Sequence, residues 1–246
     1  MLHSRRRSKA LLGSLLGILV VTVSGCSSKD EAVSPEEVRR LADSPQAVTA
    51  RQDAEERLRF DVSAYAEQTR LELGLISLRD DCHGGQATQL FDPDGYDPYK
   101  IKCSLRMTAY FGADPKRMGD TLDSILDKGD MTDSHVAFGH DYYRDHLIAY
   151  YRGKGPNPIG ADADEPTLLT GGPGQTLYWD PVRHDGRSHV TIAEPAPCAH
   201  PDPPVTRCVM EPRSTSVAAV RKRYGMVFQL DLAPADYYEV AKSGHS

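Results

Sequence analysis

Residues 133–146 concentrate side chains that could carry out acid–base or metal chemistry. The stretch contains three histidines and three carboxylates: His135, His140, His146, Asp133, Asp141 and Asp145. Imidazoles and carboxylates together bind transition metals or transfer protons near neutral pH. The histidines are five and six residues apart, so no pair lies on one face of a helix. The simpler interpretation is a polar loop that enters a strand at His146, and we assign these residues no catalytic or metal-binding role.

A second acidic stretch could offer oxygen ligands to calcium. It contains Asp92, Asp94 and Asp97, with Gly95 between them. An EF-hand loop has acidic residues at positions 1, 3 and 5 and glycine at position 6, whereas here the glycine falls at position 4. A turn formed by aspartate, proline and glycine accounts for the stretch without an ion.

Motifs of catalysis and cofactor binding are absent from the sequence. There is no nucleophile elbow, no zinc-protease helix motif, no P-loop and no glycine-rich dinucleotide motif. No pair of cysteines or of cysteine and histidine has the close spacing of a zinc site. The sequence therefore favours a non-catalytic protein without a cofactor, although catalytic triads need not be visible in a sequence.

Tyrosine is the aromatic residue that could serve binding. The chain has 12 tyrosines, and six of them form the adjacent pairs Tyr142-Tyr143, Tyr150-Tyr151 and Tyr237-Tyr238. Neighbouring side chains of a strand or helix point in different directions, so one ring of each pair could be exposed to a glycan or a peptide. Half-buried structural rings are the simpler interpretation.

The N-terminal 25 residues have the order of a secretory signal peptide. Arg5, Arg6, Arg7 and Lys9 precede an apolar run over 10–23, which at 14 residues is too short to span a bilayer. The next residues, Val23-Ser24-Gly25-Cys26, resemble the lipobox of bacterial lipoproteins. The resemblance covers residues 1–26 and implies that residues 1–25 are removed and that Cys26 carries lipid. We identify no family for the rest of the chain.

A lipid on Cys26 implies a location on the extracytoplasmic face of a bacterial membrane. Each buried CH₂ of an acyl chain contributes about 0.8 kcal/mol, so two chains anchor a protein without a spanning helix. Residues 26–34 then form a lipidated tether, whose polar part reaches about 16 Å. The mature chain would keep 25 of the 29 basic residues against 35 acidic ones, a formal net charge of −10. Such a surface excludes nucleic acid as a partner.

The other four cysteines predict two disulfides. Cys82, Cys103, Cys198 and Cys208 form an even set, as expected of an exported protein. Four cysteines allow three pairings, and we predict Cys82–Cys103 and Cys198–Cys208 because short loops close most readily. Each disulfide would raise the free energy of unfolding by about 3 kcal/mol.

Two serine–proline pairs predict the first helices. Ser34-Pro35 begins a short helix, and Ser44-Pro45 begins a long one that extends to about Leu73. Hydrophobic periodicity and turn residues predict strands over 74–80, 100–112, 146–152, 176–180, 188–194, 205–211 and 225–232, and helices over 116–128, over 214–224 and after Pro234.

These elements predict a single α+β domain over 35–246, with a long N-terminal helix packed on a mainly antiparallel sheet. The irregular segment 153–175 could instead join two halves, 35–152 and 176–246. The order strand, strand, helix, strand around each cysteine pair leaves a diverged ββαβ duplication open.

The sequence thus predicts a lipid-anchored cell-envelope protein that binds a partner or ligand at the membrane surface. Its partners would be the membrane, through the lipid on Cys26, and an unidentified envelope protein or ligand. The alternative is a membrane-tethered hydrolase or a metal-binding protein that uses the histidines and carboxylates of 133–146. A pocket that gathers these histidines with a carboxylate would favour the alternative.

Overall fold

The computed structural model of the chain describes residues 32–86, 97–172, 174–183, 190–197 and 205–242. Five α-helices, a short 3₁₀ helix and six strands lie in these ranges. In chain order they are α1 Pro35–Ala42, α2 Pro45–Gln68, β1 Glu72–Gly84, β2 Tyr99–Ala113, the 3₁₀ helix Pro115–Arg117, α3 Met118–Gly129, α4 Tyr142–Tyr151, β3 Leu168–Thr170, β4 Gln175–Trp179, β5 Val205–Glu211, α5 Val217–Tyr224 and β6 Met226–Ala241. Among the helices of the described ranges, none combines the length and apolar character needed to cross a bilayer.

The first two helices begin where the serine–proline pairs predict. Ser34 and Ser44 have extended backbones, and their hydroxyls accept the N–H groups of Glu37 and Ala47 at 3.2 and 3.3 Å. Proline in the first helical turn costs no hydrogen bond, because that N–H has no partner within the helix. α2 ends at Gln68, before the predicted Leu73, because Thr69 returns to an extended backbone.

All six strands form one antiparallel sheet in the order β3-β4-β6-β2-β1-β5. The α+β class and the long N-terminal helix packed on an antiparallel sheet are therefore confirmed. β6 lies between β2 and β4. Strands from both possible halves, 35–152 and 176–246, therefore belong to one sheet.

The two faces of the sheet are covered differently. On one face, α2, α3 and α4 bury a large core that includes Phe111, Trp179 and Phe228. On the other face, α5 packs Val217 and Val220 over one end of the sheet. On β2, β4 and β6, the side chains that alternate with the core residues point to the second face. Where α5 does not cover them these side chains are mainly polar, and this part of the face is accessible.

The strand predicted over 146–152 is wrong, since these residues belong to α4 and the residue after it. Short apolar runs fit a strand or a buried helix equally well. Two features favour the helix. The carboxylate of Asp141 caps it by accepting the N–H of Arg144 at 2.8 Å. One side of the helix packs on the core through Leu147, Ile148 and Tyr151. The elements around the Cys82–Cys103 pair therefore have the order β1, β2, α3, α4, and a ββαβ unit is not present there.

The helix predicted after Pro234 is also wrong, because β6 continues through Pro234 to Ala241. The register shifts here, since Leu105 pairs with Ala235 while Met107 pairs with Leu232. A proline without N–H is tolerated at such a bulge. The strand predicted over 188–194 is not formed in its described part, where 190–194 are irregular.

The Cys82–Cys103 disulfide is confirmed, with an S–S distance of 2.05 Å between directly opposed residues of β1 and β2. Both cysteines are buried beside α1 with Val38 and Ile101. Cys208 on β5 is also disulfide-bonded. Its predicted partner Cys198 lies outside the described residues, so that pairing stays a prediction.

Candidate functional site

The three histidines of 133–146 contact three different parts of the fold. His135 lies 2.7 Å from Asp61 of α2 through its Nδ1, with its ring edge-on to Phe60. His146 lies on α4, where its Nδ1 donates to the carbonyl oxygen of Tyr142 at 2.7 Å. His140 packs against α3 instead. The histidines that the hydrolase or metal-binding alternative requires therefore do not converge on one pocket.

The carboxylates of the same stretch also have separate roles. Asp141 caps α4, and Asp145 lies exposed in the first turn of that helix. Asp133 occupies a turn with a positive φ of 61°. The acidic residues that surround His140 come mainly from α3 and its C-terminal end, outside the predicted stretch.

His140 is held by two of these carboxylates. Its Nδ1 lies 2.6 Å from Oδ2 of Asp130, whose Oδ1 accepts the His140 backbone N–H at 2.8 Å. Its Nε2 lies 3.3 Å from Oδ1 of Asp123. Asp127 follows Asp123 by one helical turn, and one ligand atom from each of Asp123, Asp127 and His140 lies within 4.8 Å of the others.

The electrostatics of this group favour a charged imidazole. Burial lowers the pKa of His140, but the hydrogen bonds with Asp130 and Asp123 raise it, and the net shift is upward. Burial raises the pKa of Asp123, but its bonds with Arg152 and His140 lower it below its ordinary value. The hydrogen bond with His140 likewise lowers the pKa of the exposed Asp130.

A cleft of about 450 Å³ lies on the accessible part of the second sheet face. Residues of β4, β6 and three irregular stretches line it: Asp164, Glu165, Thr167, Tyr178, Trp179, Pro181, Val190, Thr191, Ile192, Gln229 and Asp231. Because side chains alternate along a strand, Tyr178 points to this face while Trp179 enters the core beneath it. The cleft therefore combines an aromatic side chain with carboxylates and an amide.

The polar side of the cleft is ordered by hydrogen bonds across the strands. Asp231 accepts from the hydroxyl of Thr108 at 2.8 Å and from the side-chain amide of Gln229 at about 3 Å. Gln229 is paired in register with Tyr178. Trp179 is held below by a bond of 2.8 Å from its Nε1 to the hydroxyl of Tyr151. These bonds give the cleft a defined set of donors and acceptors.

A buried carboxylate holds one wall of the cleft. Asp180 is 4% exposed and accepts the backbone N–H groups of Ile192 and Val227 at 2.8 and 2.9 Å. It also receives two bonds from Arg221, at 2.7 and 3.0 Å. The segment 190–197 has no regular structure of its own, so these contacts fix the wall that Val190 and Ile192 provide.

Neither His140 with its α3 carboxylates nor the cleft was identified from the sequence. The spacing of Asp123 and Asp127 at i and i+4 signals a shared helix face, but nothing in the sequence indicates that His140 lies opposite. Among the tyrosine pairs, Tyr142 and Tyr143 are 80% and 40% exposed, whereas Tyr150 is buried. Tyr178 of the cleft belongs to none of these pairs.

Several residues singled out in the sequence lie outside the described part of the chain. They include the lipobox with Cys26, and Asp92 and Asp94 of the calcium candidate. Asp97 is described, and its carboxylate accepts the backbone N–H of Gln86 at 2.9 Å. Lipidation of Cys26 therefore stays a prediction, and the preference for a turn over a calcium site at Asp92, Asp94 and Asp97 stays untested.

Comparison with known proteins does not assign the chain to a family. No protein-family model, no curated protein and no solved structure matches it.

Proposed function

We propose that this chain is a lipid-anchored protein of the bacterial cell envelope that binds a ligand in the cleft around Tyr178, Gln229 and Asp231. The anchor is the lipid expected on Cys26, which would hold the protein on the extracytoplasmic face of the membrane. The single observation that carries the binding role is the cleft itself. The alternative of a hydrolase at 133–146 has less support, because its histidines contact three different parts of the fold.

The cleft and the first described residues of the chain lie towards opposite ends of the sheet. The chain enters the fold where the Val33 N–H donates to the carbonyl oxygen of Gly85, next to the start of β2 at Tyr99. The cleft adjoins Thr108 on the same strand. At 3.3 Å per residue, the distance along β2 from Tyr99 to Thr108 is about 30 Å. A protein tethered at Cys26 would therefore present its cleft away from the lipid surface.

The lining of the cleft suits a ligand rich in hydroxyl groups, such as an envelope glycan. The carboxylate of Asp231 and the amide of Gln229 offer acceptors and donors at fixed positions. Tyr178 and Val190 are 37% and 81% exposed and offer apolar contact beside them. The net charge of −10 expected for the mature chain disfavours anionic ligands such as phosphate-rich polymers.

The anchor is tested by the substitution Cys26→Ser. We expect the variant to lose labelling by a radioactive fatty acid and either to leave the membrane fraction or to accumulate as an unprocessed precursor. Ser28→Ala, two residues along, is the matched control and should behave as the wild type. Unchanged labelling and membrane retention of Cys26→Ser would refute anchoring by this residue.

The cleft is tested through Trp179, the only tryptophan of the chain, which lies in its lining. Soluble glycan fragments released from a bacterial cell wall by a muramidase should change its fluorescence in a saturable way. Tyr178→Ala should weaken this response, while Tyr142→Ala, at an exposed tyrosine of α4, should not. A wild-type emission that stays constant at millimolar fragment would refute glycan binding and leave the anchoring result unaffected.

A further inference from the structure

We propose that His140, Asp123 and Asp127 bind one divalent transition-metal ion, with Asp130 positioning the imidazole of His140. This site lies between α3 and the segment that leads into α4, and its residues do not line the cleft. The inference goes beyond the proposed ligand binding and does not depend on it.

The distances within the group suit a metal ligand set. Zinc–nitrogen and zinc–oxygen bonds of about 2.0 to 2.2 Å in a tetrahedron place two ligand atoms about 3.4 Å apart. The Nε2 of His140 and Oδ1 of Asp123 are separated by 3.3 Å. When His140 is charged, the same separation is a long N–H···O hydrogen bond, and a bound ion would replace the Nε2 proton. The two atoms are therefore placed as two ligands of one ion would be.

The third ligand can reach the same point. Asp127 is exposed and one helical turn from Asp123, and its ligand atom lies within 4.8 Å of those of Asp123 and His140. Its side chain is free to change rotamer because α3 buries other positions, including Leu122, Ile125 and Leu126. Bringing its ligand atom to about 3.4 Å from the other two would therefore require a rotation of the Asp127 side chain.

Asp130 determines which imidazole nitrogen faces the group. It contacts both the Nδ1 and the backbone N–H of His140, so it holds the ring and the backbone of the same residue. When the imidazole is neutral, an Nδ1–H donated to Asp130 leaves the lone pair of Nε2 directed at Asp123. A carboxylate behind a histidine in this arrangement orients the ring and raises its basicity towards a metal.

The charges and atom types point to a transition metal. Three carboxylates lie around His140 together with two guanidinium groups. Arg152 contacts Asp123 at 2.6 Å and Asp120 at 3.1 Å, and Arg144 donates to the carbonyl oxygen of Gly139 at 2.7 Å. A divalent ion would offset the remaining negative charge. One imidazole with two carboxylates suits zinc, copper or nickel, whereas calcium and magnesium prefer oxygen ligands alone.

The site is tested by titrating zinc and cobalt ions into the full-length protein, purified in detergent without a histidine tag. We expect saturable binding of one ion per chain by calorimetry. Asp127→Asn and His140→Gln each remove a ligand and should weaken the affinity by more than about tenfold, since loss of a group that only supports a ligand already costs about 10- to 100-fold. Asp127 is exposed, so its variant should fold as the wild type does.

Two matched controls separate this site from the other histidines. His135→Gln and His146→Gln, which remove imidazoles that contact Asp61 and Tyr142, should bind metal with wild-type affinity. His140→Gln should also change the visible absorption of bound cobalt, because a nitrogen ligand is lost. The proposal is overturned if the wild type shows no saturable binding, if Asp127→Asn and His140→Gln bind as tightly as the wild type, or if a control variant loses binding to the same extent.

Discussion

The substitution Asp180→Ala should both destabilise the protein and release one wall of the cleft. Asp180 accepts four hydrogen bonds, two from Arg221 and one each from the backbone of Ile192 and Val227. These donors come from α5, from the segment 190–197 and from the start of β6. One carboxylate therefore joins three parts of the chain at the end of β4.

The size of the effect follows from the groups that lose their partner. Breaking a fully buried ion pair costs about 3 to 5 kcal/mol. The side chain of Arg221 is 29% exposed, so water recovers part of this loss. Two backbone N–H groups also lose their acceptor, at about 1 kcal/mol each. We expect a total decrease of about 3 kcal/mol in the free energy of unfolding, which lowers Tm by about 6 to 12 °C.

Urea unfolding of wild type, Asp180→Ala and Asp180→Ala/Arg221→Met measures this decrease. The double variant should be more stable than Asp180→Ala, because it also removes the positive charge that Asp180 neutralises. Asp53→Asn, at an exposed position of α2, is the control and should change the free energy by less than about 0.5 kcal/mol. Amide hydrogen exchange over 190–197 should accelerate in Asp180→Ala.

The reasoning is refuted if Asp180→Ala lowers the free energy of unfolding by less than about 1 kcal/mol, the worth of a single ordinary hydrogen bond. It is also refuted if the double variant is less stable than Asp180→Ala. Unchanged exchange over 190–197 would show that other contacts hold the cleft wall.

Two further predictions concern the disulfide and His140. Replacing Cys82 and Cys103 together with alanine should lower the free energy of unfolding by about 3 kcal/mol, measured by urea unfolding, and an unchanged midpoint would contradict this. The net pKa shift of His140 is upward, so its stabilising contribution is complete below its unfolded pKa of about 6.5 and is lost as pH rises through the higher folded pKa. The Tm of the wild type should therefore fall relative to that of His140→Gln above about pH 6.5, and parallel Tm curves would show that the folded pKa is not raised.

Much of the fold could be predicted because local chemistry decides it. The serine caps of α1 and α2, the alternation along β2 and the close spacing of Cys82 and Cys103 depend on residues near each other in the chain. The errors fall where local patterns are ambiguous. The run in α4 fits two periodicities, and Pro234 is accepted in β6 because the bulge next to it removes the need for a ladder N–H.

The candidate sites depend on contacts that no local pattern contains. His140 meets Asp123 because the segment after α3 folds back along that helix, 17 residues away in sequence. The cleft forms because β6 pairs with β4, which brings Gln229 beside Tyr178. Both arrangements follow from packing between distant elements.

The sequence by itself determined the order of the N-terminal region, the likeness of Val23-Ser24-Gly25-Cys26 to a lipobox, the starts of the first helices and the α+β class. These features depend on residues that are close together in the chain, so their spacing can be read directly from the sequence. Only the tertiary structure decided that His135, His140 and His146 separate, that His140 joins the carboxylates of α3, and that a cleft forms beside Tyr178. The reason is that distances between side chains remote in sequence are fixed by strand pairing and helix packing.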